Sequence, residues 1–370
     1  MTVYYITIFV LFLFALLDIN YELSDRTWRW MKYAMFLMLV LQVGLRWETG
    51  TDWNTYLDHF NSITDWSSVS PLQNGMEIGY DVFIYLMKMI STSYSLFLLV
   101  HAIIFYLLIF KSFERYAPYF YISLLMFYTL SMGMLGSNRQ LIALAICFCA
   151  LRYVVEAKPW IFFLLVAVAA SFHTSAIMFG VFYFMNRQIR VYYIVLILAI
   201  AFVIGESQVP LMLFSKAGSL LGGNAASHIN QYLNDLNDNV RQNQLSITGL
   251  LKRIVFVAFF LYQREKLKDE LPYYTLLLNG YILGLVIYFL FANTLLVMIS
   301  RGSFYFNMME PLLLSSQLLL FKGKENRTIV ACVLLVFAVL FLYQSIASFP
   351  DLFDPYKGLF LNTTYFRTMY

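Results

Sequence analysis

The sequence predicts an all-α, polytopic integral membrane protein, and three observations lead to that fold class. Of its 370 residues, 61% are apolar and only 12% are charged. A soluble protein needs about a quarter of its residues charged to solvate its surface. The mean hydropathy is +0.69, and several nearly uncharged stretches approach the length of about 20 residues that a helix needs to cross a bilayer.

The charges, the cysteines and the first apolar stretch narrow this class further. The formal charge of +4 is spread without a dense basic run, which gives no support to nucleic-acid binding. Cys147, Cys149 and Cys332 lie in apolar segments without zinc-type or redox-type spacing, so we interpret them as small core residues. The first apolar stretch ends at Asp18 without a small-residue cleavage site, which predicts a retained span.

About ten membrane crossings are predicted from the lengths of the apolar stretches. Their bounds are 3–17, 27–45, 93–110, 119–135, 140–155, 191–204, 246–263, 273–297, 303–321 and 328–347. We expect them to form a single transmembrane domain over residues 1–370. A further apolar stretch, 160–185, is interrupted at its middle by 171–175, so it forms either one crossing or two half-helices that return to the same side.

The distribution of basic residues decides between these alternatives. With a re-entrant hairpin, most lysines and arginines fall in short loops on one side of the membrane, as the positive-inside rule requires. With a full crossing, the dense basic loops are divided between the two sides. We therefore predict a re-entrant helical hairpin, with both termini outside.

Two long segments, 46–92 and 205–245, are then predicted to lie outside and to form the substrate-binding face. Connections of this length in a compact domain are usually functional. The first is rich in carboxylates and aromatic residues, and the apolar spacing within 76–90 predicts a helix along the membrane surface. The second contains an amide-rich tract, 224–244.

Trp53, Tyr56 and Tyr80 in the first outer segment are candidate glycan-binding residues. The C–H face of a pyranose can lie on an aromatic ring, while amide donors and acceptors match sugar hydroxyl groups. The alternative is a solvated loop whose aromatic side chains anchor it at the membrane interface.

Four arginines lie at or near the outer ends of separate predicted spans, against the positive-inside bias. They are Arg46, Arg139, Arg253 and Arg301. A guanidinium binds phosphate or pyrophosphate through two parallel hydrogen bonds, so the four are candidates to surround one pyrophosphate. The alternative for each is an interfacial arginine paired with lipid phosphate or with a carboxylate such as Glu48 or Glu310.

His173 is predicted to lie at the tip of the hairpin. A half-helix over 160–172 rises about 1.5 Å per residue, so it climbs about 20 Å from the inner face and ends beneath an outward cavity. An imidazole there could deprotonate a hydroxyl or donate a hydrogen bond to a phosphate. The alternative is a polar side chain that satisfies the carbonyls freed where the helix breaks.

Motifs for nucleotide, metal and serine chemistry are absent from the sequence. It contains no G-x-x-x-x-G-K-[ST] loop, no H-E-x-x-H or Cys/His cluster, no G-x-S-x-G elbow and no D-x-D pair. We therefore predict no metal and no cofactor. The same absence argues against a glycosyltransferase that uses a metal-bound nucleotide sugar and favours a lipid-linked donor.

A set of short motifs, taken in order, resembles one family. They are Gly50-Thr51-Asp52-Trp53-Asn54-Thr55-Tyr56, Glu77-Ile78-Gly79-Tyr80, Asn138-Arg139-Gln140, Leu151-Arg152-Tyr153, Phe172-His173-Thr174-Ser175-Ala176 and the later stretch 301–306. Their order, spacing and setting among the spans resemble the EpsG-like branch of the Wzy-type bacterial polysaccharide polymerases, which serve O-antigen, capsule and exopolysaccharide. The resemblance is clear over residues 40–180 and rests mainly on topology beyond residue 190.

The resemblance implies a GT-C-like membrane glycosyltransferase that polymerises repeat units carried on undecaprenyl diphosphate. It would act at the outer leaflet of the bacterial inner membrane, with lipid-linked oligosaccharides as donor and acceptor. Membrane lipids, a flippase and a chain-length regulator are the further partners expected.

The implied reaction displaces a diphosphate at an anomeric carbon, so it needs a base and a positive charge for the leaving group. His173, Asp52 and Glu77 compete for the role of base, and the four arginines are the diphosphate candidates. A single displacement would invert the anomeric configuration.

Two other functions stay open at this point. A ligase that transfers finished glycan to lipid A or protein needs the same diphosphate site with a different acceptor groove. A transporter or flippase of lipid-linked oligosaccharide is suggested by the broken helix, although the sequence shows one interrupted stretch and no internal repeat.

Overall fold

The computed structural model describes residues 1–70, 75–221, 247–294, 298–347 and 349–367. Within these ranges the chain forms helices and turns without any β-strand, apart from isolated bridges that pair Gly358 with Arg46 and with Leu361. The predicted all-α class is confirmed.

The helices follow one another with short connections. Up to the hairpin they are α1 (Thr2–Asn20), α2 (Asp25–Gly44), α3 (Trp53–Ser62), α4 (Ile78–Lys88), α5 (Tyr94–Tyr116), α6 (Phe120–Ser131), α7 (Asn138–Val155) and α8 (Pro159–Phe172). After it come α9 (Val191–Gly205), α10 (Val209–Leu221), α11 (Ile247–Leu267), α12 (Tyr274–Phe291), α13 (Phe304–Asn307), α14 (Glu310–Ser316), α15 (Lys324–Ala347) and α16 (Pro350–Phe353). Short 3₁₀ segments cover Trp66–Ser68, Met132–Met134, Thr174–Phe184 and Gln317–Leu320, and Met298–Gly302 is π-helical.

By its internal contacts the chain divides into two compact units. The first comprises Met1–Gly180 with Pro311–Tyr370, and the second comprises Val181–Glu310. In the first unit, Ser24 and Ser93 are the N-caps of α2 and α5, and each side chain accepts a hydrogen bond from a backbone N–H three residues later.

Among the described residues, five helices are long and apolar enough to cross a membrane: α1, α5, α7, α12 and α15. Shorter apolar helices cover Phe120–Met134, Pro159–Phe172, Thr174–Phe184 and Val191–Gly205. These helices have the character of a multi-pass membrane protein. The total of about ten crossings stays a prediction.

The stretch 303–321, predicted as one crossing, is not a single continuous helix. It forms α13, α14 and the 3₁₀ segment Gln317–Leu320 instead of one helix. Pro311 explains the new start at Glu310, because proline has no N–H to donate and is tolerated only in the first turn of a helix.

The apolar stretch around His173 folds back on itself as a hairpin. The rings of Phe162 in α8 and Phe179 in the following 3₁₀ segment stack with their centroids 6.1 Å apart. A Cβ at Gly180 would lie 3.7 Å from the ring of Phe163, so the two arms run antiparallel. His173 lies in the turn between them, with extended backbone angles. The depth of this hairpin in a membrane stays a prediction.

The loop before α3 is fastened to the loop before α7. The backbone N–H of Thr51 donates to the carbonyl of Leu135 at 2.8 Å. Gly50 and Gly136 have φ angles of +100° and +111°, and a Cβ at either position would clash with the backbone of the opposite loop. Two glycines therefore allow the start of α3 to lie close to the start of α7.

A second close approach brings α4 to the hairpin. A Cβ at Gly79, in the first turn of α4, would clash with the side chain and carbonyl of Ser171 near the end of α8. The absence of a side chain at this position lets Glu77, just before α4, reach the tip of the hairpin.

Candidate functional site

The candidate site is centred on an ion pair between Arg139 and Glu77. Arg139 is the second residue of α7, and its Nη1 donates to Oε2 of Glu77. Its Nε donates to the hydroxyl of Tyr56 at 3.2 Å, and the guanidinium lies 5.7 Å from the centroid of the same ring. The side chains of Arg139 and Glu77 keep 17% and 18% of their surface exposed, so the pair is partly accessible.

The second oxygen of Glu77 binds the hairpin tip. Its Oε1 accepts hydrogen bonds from the backbone N–H of Thr174 at 2.8 Å and from the Thr174 hydroxyl at 3.1 Å. Burial raises the pKa of Glu77, but Arg139, the Thr174 N–H and the charge of His173 outweigh that effect, so the net pKa is lowered. Glu77 is therefore a carboxylate that already serves two partners.

His173 directly precedes Thr174, the residue that Glu77 binds, so it lies close to this ion pair. Its side chain is 8% exposed, and its Nδ1 lies 2.7 Å from the hydroxyl oxygen of Ser175. The structure thus brings together four of the predicted site residues, namely Arg139, Glu77, Tyr56 and His173.

Asp52 stands at the edge of the same region. It is the N-cap residue of α3, its φ of 53° lies in the left-handed region, and its carboxylate makes no capping hydrogen bond. The side chain is exposed to solvent, one helical turn before Tyr56. Its role as a base stays a prediction.

Arg46 is buried, whereas its predicted role as a diphosphate ligand requires an accessible guanidinium. It is 1% exposed, and its guanidinium donates to the carbonyl of Val43 at 2.6 Å and to Oδ1 of Asn138 at 2.7 Å. The guanidinium also lies 5.8 Å from the ring centroid of Trp53. In this structure Arg46 anchors Asn138, the residue before Arg139, and does not reach solvent.

The three candidate glycan-binding rings are also buried. Trp53, Tyr56 and Tyr80 are 7%, 4% and 0% exposed and belong to one aromatic core, so none presents an open face to a sugar. The exposed tryptophan of this segment is Trp66, whose ring packs edge-on against Tyr85 at 5.4 Å. Direct glycan binding by the three rings stays a prediction.

Arg253 and Arg301 belong to the second unit and are described within it. Arg253 donates to the carbonyl of Gly249 at 3.0 Å, and its guanidinium lies 3.8 Å from the ring centroid of Tyr288. Arg301 lies in the π-helical segment and is exposed. Both stay predicted diphosphate ligands. The amide-rich tract 224–244 lies outside the described residues.

The carboxylates considered as arginine partners pair with lysines instead. Glu48 binds Lys357 at 2.5 Å, and Glu310 binds Lys252 at 2.8 Å. Within the part of the chain that the structure describes, no three His, Cys, Asp or Glu side chains are grouped to hold a metal ion. Metal independence stays a prediction.

A buried pair of His59 and Asp81 was missed by the sequence analysis. His59 Nε2 lies 2.7 Å from Oδ1 of Asp81, and the side chains are 6% and 0% exposed. Trp53, Tyr56 and Phe60 recur at helical spacing, and His59 lies with them on the buried face of α3. This periodicity was the available signal.

Comparison with known families identifies the chain. A family model described as the EpsG family matches residues 29–357. The match includes every candidate site residue and extends well past residue 190, where the resemblance of the sequence rested mainly on topology. No curated protein and no solved structure matches the chain. Because the match covers most of the sequence, the chain belongs to the EpsG family, as the motifs around Asp52, Arg139 and His173 predicted.

Proposed function

We propose that the protein polymerises undecaprenyl-diphosphate-linked oligosaccharide repeat units at the outer leaflet of the bacterial inner membrane. Membership of the EpsG family supports a polysaccharide polymerase-type glycosyltransferase, and the long apolar helices support a membrane location. The proposed site of the reaction rests on one observation. Arg139 is partly exposed, and Glu77 and Tyr56 hold it beside the hairpin tip.

Arg139 is the proposed ligand of the lipid diphosphate. The hydroxyl of Tyr56 accepts the hydrogen bond from Nε of Arg139, so the edge formed by Nη1 and Nη2 is left for an anion. Glu77 contacts that edge now, and a diphosphate, which carries more negative charge, competes with the carboxylate for it. Arg46 supports this arrangement from within, because its bond to Asn138 fixes the start of α7.

His173 is the proposed base. Glu77 is a weak base, because Arg139 and Thr174 stabilise its ionised form and lower its pKa. Asp52 is exposed to solvent, so it suits a role in orienting acceptor hydroxyls. An imidazole at the hairpin tip can accept a proton near neutral pH.

The proposed step is one displacement. His173 takes the proton of an acceptor hydroxyl, and the hydroxyl oxygen forms a bond to the anomeric carbon of the donor. The bond from that carbon to the diphosphate oxygen breaks, and the leaving diphosphate keeps the electron pair. Arg139 stabilises the negative charge that develops there, and the anomeric configuration is inverted.

The experiment that tests this function replaces the native gene in its own host by Arg139→Gln. A polymerase defect leaves single repeat units on the lipid at the outer leaflet and removes long polysaccharide. A ligase defect would leave long chains on the lipid carrier. A flippase defect would leave single units at the inner leaflet, so the lipid-linked species and their leaflet separate the three functions.

A further inference from the structure

The buried pair of His59 and Asp81 joins α3 and α4, the two helices that carry the buried rings of Trp53, Tyr56 and Tyr80. His59 lies in α3 and Asp81 lies in the first turn of α4, and their side-chain atoms are 2.7 Å apart. A buried carboxylate is costly without a partner, so this contact fixes α3 against α4.

A chain of aromatic contacts leads from this pair to Arg139. The His59 ring stacks on Tyr80 with centroids 6.2 Å apart and planes 18° apart. Tyr80 meets the ring of Tyr56 edge-on at 5.6 Å. The Tyr56 hydroxyl then accepts the hydrogen bond from Nε of Arg139.

This hydrogen bond occupies Nε of the Arg139 guanidinium. With Nε held by Tyr56, the Nη1 and Nη2 edge is the one left for an anion, and that edge allows two parallel hydrogen bonds to a phosphate. A shift of Tyr56 rotates the edge away while the charge of Arg139 remains.

We infer that His59 and Asp81 are positioning residues, which hold Tyr80 and Tyr56 so that Arg139 presents its two-nitrogen edge to a lipid diphosphate. The inference rests on the proposed function for the identity of that ligand. It predicts that His59 acts only through Tyr56, so the effects of changing the two residues should not add.

The test is a double-mutant cycle on protein reconstituted in lipid nanodiscs, with undecaprenyl diphosphate as the probe. Tyr56→Phe removes only the hydroxyl, and His59→Gln removes the stacked ring but keeps a hydrogen-bonding group toward Asp81. Each should weaken binding about tenfold, and the double variant should be no weaker than Tyr56→Phe alone. Asp58→Asn, an exposed change on the same helix, should bind as the wild type does.

Three outcomes are distinguishable. Additive losses, about a hundredfold in the double variant, would overturn the positioning role, as would wild-type affinity in His59→Gln. Failure of the wild type to bind the probe would overturn the proposed function itself. Should His59→Gln fold poorly, Asp81→Asn keeps the shape and a hydrogen bond of the pair, and its smaller loss of affinity must vanish in the Tyr56→Phe background.

Discussion

Glu77 and Arg139 form an ion pair that joins segments separated by 62 positions in the sequence. The same carboxylate also binds Thr174, so one side chain connects the segment 46–92, the start of α7 and the hairpin tip. If a substrate displaces Glu77 from Arg139, it therefore also acts on the carboxylate that holds the hairpin tip beside His173.

Replacement of Arg139 by lysine should lower polymerisation at least tenfold. Lysine keeps the positive charge but cannot form two parallel hydrogen bonds to a phosphate, and it loses the contact that Nε makes with Tyr56. The measurement is the rate of glycan formation from lipid-linked repeat units. Arg152→Lys, near the other end of the same helix, is the matched control and should keep its activity. Equal rates in both variants would leave Arg139 as an interface anchor.

Replacement of Glu77 by glutamine should destabilise the protein by about 2 kcal/mol at neutral pH, because a partly buried ion pair and its hydrogen bonds are weakened. The lowered pKa of Glu77 means that its carboxylate stabilises the fold above the pKa of the unfolded chain. That stabilisation is lost as pH falls through the folded pKa. The difference in melting behaviour between wild type and variant should therefore be present at neutral pH and shrink below about pH 4.5.

The control for this change is Glu265→Gln. Glu265 pairs with Arg264 and Lys268, but 60% of its side chain is exposed, so water screens the pair and its loss should have little effect. A pH-independent difference for Glu77→Gln would show that its contribution does not depend on the charge of the carboxylate.

Cysteine labelling should place the outer segment and the end of the hairpin on opposite sides of the membrane. In a variant whose native cysteines are changed to serine, Ser67→Cys should react with an impermeant reagent in intact cells. Gln188→Cys should react only after the cells are opened. Ser67 and Gln188 are both exposed, so only the membrane should limit the access of the reagent to them. The reversed pattern would contradict the orientation derived from the basic residues.

Much of this arrangement could be predicted because it depends on local sequence. The interruption of the apolar stretch around His173 and the positions of the lysines and arginines were sufficient to predict the hairpin. Pro311 is also a local signal, and it marks the point where the helix within 303–321 begins again.

The burial of predicted site residues depends on contacts between distant parts of the chain. Arg46 is covered because the segment after α16 returns to it, and Gly358 pairs with its backbone. Trp53 and Tyr80 were expected to contact a sugar. The sequence alone does not distinguish an aromatic residue that packs inward from one that faces a ligand. The contact of Glu77 with Thr174 depends on the close approach at Gly79, which no sequence pattern reports.

The base should be distinguishable by its pH dependence. If His173 accepts the proton, His173→Gln should reduce turnover at least a hundredfold while the lipid-linked substrate still binds, and wild-type activity should fall on acidification. Asp52→Asn should keep the same pH profile, with weaker acceptor binding. Substantial turnover by His173→Gln with an unchanged profile would remove histidine from the chemistry and favour Asp52.

The most direct measurement of the central claim uses purified protein in lipid vesicles with synthetic undecaprenyl-diphosphate-linked repeat units, in the presence of EDTA. The account predicts a ladder of glycans that grows by whole repeat units, with free undecaprenyl diphosphate released at each step, and no ladder with Arg139→Gln. The absence of any product longer than one repeat unit, with or without magnesium, would contradict it.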